Sequence, residues 1–215
     1  MVAIPSFPSL YVILDPSLAK DSPVALAGKL ADAGVRLIQL RDKLSPARKI
    51  FAEAKRLIEQ LSPLGARLII NDRPDIALLA GAAGVHVGQH DIPVEEARRM
   101  CSPSLWVGVS THNLDQLREA ARTSADYIAV GPVFPTSTKE NPDPTVGIGF
   151  LREARRLTRK PLVAIGGITL ESAAEVWRAG ADSVAVIRDL LEAHDPAARA
   201  REYLATAERL RPPRN

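Results

Sequence analysis

The stretch Val35-Arg36-Leu37-Ile38-Gln39-Leu40-Arg41-Asp42-Lys43 is a short apolar run that ends abruptly in amide and charged side chains. Just beyond it, Ala47, Ile50, Phe51, Ala54, Leu57, Ile58 and Leu61 fall on one face of an amphipathic helix. A strand followed by such a helix is one βα unit, and the same alternation recurs about eight times along the chain. Strands are expected at Leu10–Leu14, Val35–Leu40, Arg67–Asn71, Gly84–Gly88, Leu105–Val109, Tyr127–Val130, Leu162–Ile165 and Ser183–Val186. Leu114, Leu117 and Ala120-Ala121 suggest a further helical face. Ala33-Gly34-Val35, Ala83-Gly84-Val85, Ser124-Ala125-Asp126 and Ala179-Gly180-Ala181 each stand at or just before a strand, as though one unit had been reused.

Eight units in 215 residues average about 27 each, compact for a (β/α)8 barrel, whose usual length is ~250 residues. The alternative is an open doubly wound sheet. No Gly-x-Gly-x-x-Gly follows the first strand, which runs instead into Asp15-Pro16, so the dinucleotide-binding form of that sheet loses its main support. The expected fold is a single (β/α)8 TIM-barrel domain over 1–215. Its 1–9 extension and 211–215 tail read as flexible ends.

Composition is that of an α/β protein, with 46% hydrophobic, 25% charged and 4% aromatic residues. No apolar run approaches the ~20 residues of a membrane span, and Met1 to Ser9 lack a basic-then-apolar signal pattern, so a cytoplasmic location is expected. Cys101 stands alone, which excludes an intramolecular disulfide, and no Cys or His set has zinc-ligand spacing. A net charge of +3 with scattered basic residues argues against nucleic acid and for anionic small molecules as partners.

In a barrel of this kind the site lies at the carboxyl ends of the strands. Period-two alternation sends Gln39, Arg41 and Lys43 to one side and Leu40 to the other. Clustered cations call for an anion, and an enclosed glutamine calls for hydrogen-bond partners; a pyrophosphate joined to a heteroaromatic ring satisfies both. Asp42 alone reads as a surface charge on the turn. Strands three and four end in Asn71-Asp72 and Gly88-Gln89-His90-Asp91, so two carboxylates sit on neighbouring loops and suit Mg²⁺. Each alone also reads as a helix N-cap, because Pro74 and Pro93 follow closely. Strand five ends in Ser110-Thr111-His112-Asn113, where Ser110 suits a phosphate, His112 is a candidate acid or base, and Asn113 with Gln116 reads as a capping box. After strand six comes the longest connection, Gly131-Pro132-Val133-Phe134-Pro135-Thr136-Ser137-Thr138-Lys139, whose continuation to Gly147 reads as a lid over an anion. Ile165-Gly166-Gly167-Ile168, with the segment after Val186, offers the backbone N–H groups of a phosphate site, and Thr169 reads as the next N-cap.

From about Tyr11 to the last helix these motifs together resemble the thiamine-phosphate synthase family. Val85-His86-Val87-Gly88-Gln89-His90-Asp91 and Gly108-Val109-Ser110-Thr111-His112 belong to the match, in order and spacing. The resemblance implies a transferase that joins hydroxymethylpyrimidine pyrophosphate to thiazole phosphate through a carbocation-like step. Gln39 and Asn71 would hold the aminopyrimidine. Arg41, Lys43, Asn71, Ser110 and Lys139 would bind the pyrophosphate. Asp72 and Asp91 would coordinate Mg²⁺. Thr136, Thr138, Gly167 and the backbone at Ile187 and Arg188 would hold the thiazole phosphate. His90 departs from an acidic or small residue and Arg188 from serine.

Two other readings compete. A thiazole tautomerase shares the scaffold and would make His112 catalytic, but it gives no comparable reason for Asp72, Asp91 and the Lys43 and Lys139 pair. A non-catalytic barrel that binds thiamine precursors would use the same binding residues, and turnover separates it.

Overall fold

A computed structural model describes residues 7–19, 21–101, 103–136 and 143–210. Eight parallel strands, β1 (Leu10–Leu14), β2 (Leu37–Leu40), β3 (Arg67–Asn71), β4 (Gly84–Val87), β5 (Trp106–Thr111), β6 (Tyr127–Val130), β7 (Leu162–Ile165) and β8 (Ser183–Val186), pair in chain order, and β8 pairs back onto β1. The ring is closed, so the (β/α)8 barrel is the fold. Outside it lie α1 (Pro23–Asp32), α2 (Ala47–Leu61), α3 (Pro74–Ala80), α4 (Val94–Met100), α5 (Leu114–Arg122), α6 (Gly147–Leu157), α7 (Leu170–Arg178), the short α8 (Arg188–Leu191) and α9 (Pro196–Leu210). Among the described residues no helix is long and apolar enough to cross a membrane.

The strands are buried on both faces, which is why they read as near-continuous apolar runs. Alternate residues of β1 divide between two cores. Leu10, Val12 and Leu14 pack outward against the helices, while Tyr11 and Ile13 join Leu37, Ile69, Ala129, Val163 and Ala185 inside the barrel. Two small residues make that interior packable. A Cβ on Gly108 would lie 2.0 Å from Cζ of Tyr127, and one on Gly84 would lie 2.3 Å from the Trp106 carbonyl oxygen, so each glycine leaves room for an aromatic residue of the adjacent strand.

Boundaries shift slightly from the expected ones. β2 begins at Leu37 because Arg36 turns outward, its guanidinium donating to the carbonyls of Ala31 (2.7 Å) and Val35 (3.1 Å). β5 runs on to Thr111, since Ser110 and Thr111 stay in register with Ala129 and Val130. The 1–9 extension is corrected in its last part. Phe7 is only 8% exposed, its ring 5.6 Å from that of Trp106 and 5.1 Å from that of Tyr127, and the Ser9 carbonyl accepts from Val184 N (3.0 Å) and Trp177 Nε1 (3.2 Å). Phe7 plugs the amino-terminal end of the barrel. Residues 1–6 and 211–215, the rest of the expected flexible ends, lie outside the described residues.

Candidate active site

At the carboxyl end of β1 the chain turns at Asp15, which is 7% exposed and holds the guanidinium of Arg41 at the end of β2. Asp15 Oδ1 also accepts from the Ser17 amide (3.0 Å) and hydroxyl (2.6 Å), so the carboxylate is itself fixed. Arg41 therefore stands in a set orientation beside the more exposed Lys43, whose ammonium reaches Asp72 at 3.1 Å. Asp42 belongs to the turn: its Oδ1 accepts from Leu44 N (3.1 Å) and Ser45 N (2.9 Å).

Asp72 and Asp91 do not cap the helices that follow them. The capping positions are Arg73 for α3 and Pro93 for α4, neither with a side-chain bond to the helix. Asp72 adopts φ 60°, a left-handed conformation that Asp tolerates better than most residues, and its N–H donates to the His86 carbonyl at 2.8 Å. Asp91 Oδ2 accepts from Gly88 N at 2.8 Å. The two carboxylates meet each other. Burial together with the facing Asp91 carboxylate raises the Asp72 pKa above the ordinary range, and Lys43 only partly offsets this. Such a pair is short of positive charge, which suits a hard divalent cation.

Inside the mouth, Gln39 is 2% exposed, and its Nε2 donates to the Tyr11 hydroxyl at 2.6 Å. Asn71 stands in register with His86, on the same face of β3 as Ile69. His86 uses both ring nitrogens, Nδ1 with the Tyr127 hydroxyl (3.0 Å) and Nε2 with Ser110 Oγ (2.8 Å). Its ring stacks on Tyr127, and burial pushes its pKa down to about 4 against the opposing pull of Asp91, so the imidazole is neutral near pH 7. The Ser110 carbonyl is held by Gln89 Nε2 at 2.6 Å, while His90 is exposed.

His112 is occupied structurally. Its Nδ1 donates to the Gly131 carbonyl at 2.6 Å, and Nε2 faces Asp143 at 3.5 Å, across the connection after β6. The capping box at α5 is present with a shift: Asn113 Oδ1 accepts from Gln116 N (2.9 Å), while Gln116 Oε1 accepts from the His112 amide (2.7 Å) instead of that of Asn113. Of the expected lid, Thr136 and 143–147 are described, and Val146 N binds the Pro132 carbonyl at 2.8 Å. Thr138 and Lys139 lie outside the described residues, as does the rest of 137–142.

At the end of β7, Gly167 has φ 63°, and a Cβ there would lie 2.3 Å from the Pro135 carbonyl oxygen, so glycine alone lets this turn sit against the connection after β6. Thr169 is the N-cap of α7, in a box with Ser172. Ile187 precedes α8 and Arg188 opens it. The Arg188 guanidinium is turned along the helix to Glu192 at 2.6 Å.

The barrel therefore brings Gln39, Arg41, Lys43, Asn71, Asp72, Asp91 and Ser110 to one end of β2 through β5, with Gly167, Ile187 and Arg188 at the same end of β7 and β8. Asp15, Tyr11, Tyr127 and His86 join them, although sequence reasoning gave none of the four a role. The first two share the inward parity of Ile13, which was the available signal.

The family model described as thiamine monophosphate synthase matches residues 10–190. A thiamine-phosphate synthase of Koribacter versatilis is 50% identical over 204 residues, covering 92% of this chain and 94% of the relative. One of Chloroflexus aurantiacus is 42% identical, with 91% of each chain covered. A solved thiamine phosphate pyrophosphorylase from Pyrococcus furiosus superposes with a TM-score of 0.85 at 33% identity, covering 94% of this chain and 96% of the other. With its strand-end residues in the order that resemblance implied, the chain belongs to the thiamine monophosphate synthase family.

Proposed function

We propose that the chain is a thiamine-phosphate synthase, a transferase joining an aminopyrimidine pyrophosphate to a thiazole phosphate at the mouth of the barrel. The observation that carries this reading is the meeting of Asp72 with Asp91 beside Lys43 and the fixed Arg41. Two carboxylates flanked by cations suit a pyrophosphate bound together with Mg²⁺. Among the described residues no third Asp, Glu, His or Cys joins the pair, so waters and pyrophosphate oxygens would complete the metal's coordination. Mg²⁺, when bound, supplies charge neutralisation to the departing pyrophosphate.

The chemistry asks little of the protein beyond charge and position. The bond between the pyrimidine methylene carbon and the pyrophosphate oxygen breaks, and its electron pair leaves with the pyrophosphate. The ring amino group stabilises the resulting cation until the thiazole nitrogen lone pair forms the new C–N bond. That nitrogen carries no proton, so no base is needed. Gln39 and Asn71 hold the pyrimidine, while Arg41, Lys43, Asn71, Ser110 and Lys139 hold the pyrophosphate. Thr136, Thr138, Gly167 and the backbone at Ile187 and Arg188 hold the thiazole phosphate. Each preorganised donor on the leaving group contributes on the order of 10²-fold in rate. The setting is cytoplasmic.

The test is thiamine phosphate formation by the purified protein from the two substrates, with Mg²⁺ and then with chelator. Metal-dependent product is expected. Folded protein that makes none with Mg²⁺ would overturn the reading and turn attention to the tautomerase assay. The double engagement of His112 speaks against that alternative.

A further inference from the structure

Gln39 and Ser110, on opposite sides of the mouth, are joined through the barrel interior by a single file of hydrogen bonds. It runs from Gln39 Nε2 to Tyr11 OH (2.6 Å), to Tyr127 OH (3.0 Å), to His86 Nδ1 (3.0 Å), and from His86 Nε2 to Ser110 Oγ (2.8 Å). Tyr11, Tyr127 and His86 are buried, and none belongs to the proposed substrate contacts. Gly108 makes the file possible, since a Cβ there would fall 2.4 Å from the Tyr127 hydroxyl oxygen.

Proton counting gives the file a direction. Each tyrosine has one proton to donate, as do the serine and a neutral imidazole. His86 is enclosed and has no acidic hydrogen-bond partner, so it is neutral. Every link of the file then carries one proton in only two arrangements, all pointing from Gln39 to Ser110 or all the reverse. A mixed arrangement either strands a buried O–H or N–H, which carries that group's full desolvation penalty, or sets two buried lone pairs against each other with no proton between them. The Gln39 amide decides between the two. With Nε2 donating to Tyr11, Tyr11 donates to Tyr127 and Tyr127 to His86 Nδ1. His86 then carries its proton on Nε2 and donates it to Ser110, whose own proton is left to point toward the mouth.

We infer that Tyr11, Tyr127 and His86 are positioning residues that lock Ser110 as a donor and Gln39 Oε1 as an acceptor at the mouth, opposite in character and coupled through the barrel. This rests on the reading of Ser110 at the pyrophosphate and Gln39 at the aminopyrimidine. The two ends then complement a ligand with a donor amine at one end and anionic oxygens at the other. A ring with an oxo group in place of the amine demands the reversed file, which turns Ser110 lone pairs onto the pyrophosphate. Selectivity for the amine is thus tied to stabilisation of the leaving group.

The experiment is ¹⁵N-histidine NMR joined to a kinetic double-mutant cycle. The chain has four histidines, so the His86 signals can be assigned by their loss in His86→Asn. In the wild type, His86 is expected as the neutral Nε2–H tautomer between about pH 6 and 8. Tyr127→Phe keeps the ring and cuts the file; His86 should become a mixture of tautomers, and kcat should fall about tenfold with KM for the thiazole phosphate unchanged. Added to Ser110→Ala, Tyr127→Phe should cost clearly less than it does in the wild type, because the Ser110 end of the file is already gone and only the Gln39 end is left to lose. Tyr11→Phe cuts one link earlier and serves if Tyr127→Phe does not fold. An Nδ1–H tautomer or an imidazolium in the wild type overturns the direction of the file, and additive losses in the cycle overturn its action through Ser110. Ser110→Ala at wild-type rate, with the Nε2–H tautomer intact, overturns instead the placement of Ser110 at the pyrophosphate, so the two failures are told apart.

Discussion

Asp15 at the end of β1 holds the guanidinium of Arg41 at the end of β2, while the Arg41 amide donates to the Leu14 carbonyl at 2.9 Å. Backbone and side chain of Arg41 are thus both anchored to the neighbouring strand. Asp15→Ala should lower kcat/KM for the pyrimidine pyrophosphate between about tenfold and a hundredfold, since a misdirected cation loses its alignment with the leaving group. Steady-state kinetics measure this, and an unchanged kcat/KM would mean that Arg41 orients without its partner.

Asp72 predicts a conflict between stability and activity. Its carboxyl pKa is raised in the fold by burial and by Asp91, so the metal-free folded state binds more protons than the unfolded chain just above the ordinary Asp pKa. Stability is then lost as pH rises through the folded value, and metal-free protein at pH 7 carries the full penalty. Asp72→Asn keeps a residue that tolerates φ 60° and removes the repulsion. It should raise the melting temperature of metal-free protein at pH 7 by roughly 2–4 °C. Activity should fall on the order of 10²-fold or more. Calorimetry with and without Mg²⁺ checks the first half; a lower melting temperature would count against the repulsion.

His112 and Arg41 should respond very differently to truncation. His112→Ala removes a tether to Gly131 and a contact with Asp143, and should cost only a few-fold in rate, roughly the effect of one ordinary hydrogen bond. Arg41→Ala should cost on the order of 10²-fold. Parallel assays of the two variants decide it, and the reverse order would favour the tautomerase reading.

Gly108→Ala introduces a methyl where Cζ of Tyr127 stands 2.0 Å away. The inner ring has little room to retreat, because Phe7, Tyr11 and His86 all pack against it. Destabilisation of about 1–3 kcal/mol or more is expected from such overpacking. The shift in denaturant midpoint measures it, and a midpoint equal to wild type would show that the interior can yield.

Short-range features are legible in the amino-acid sequence. The eight strands stand within a few residues of where periodicity places them, and alternation along 39–43 correctly separates Gln39 and Arg41 from Leu40. Contacts made by closing the ring are not legible there. Asp15 and Arg41 are 26 residues apart in sequence and Tyr11 and Tyr127 are 116 apart, so only the strand register brings each pair together. The N-cap reading of Asp72 fails for a local reason: its left-handed backbone uses one more residue before α3 begins, which frees the carboxylate to meet Asp91. Phe7 escapes notice because it precedes the first periodic run and stands beside Pro8, in what resembles a loose leader.

Phe7 also changes what counts as the repeating unit. Seven further turns of the helix-turn-strand theme do not seal the barrel's base; a ring from ahead of the first strand does. A circular permutant opened elsewhere in the molecule would have to keep Phe7 covalently ahead of β1 to retain its seal. One cut between them would leave all eight strands in place around an open drain.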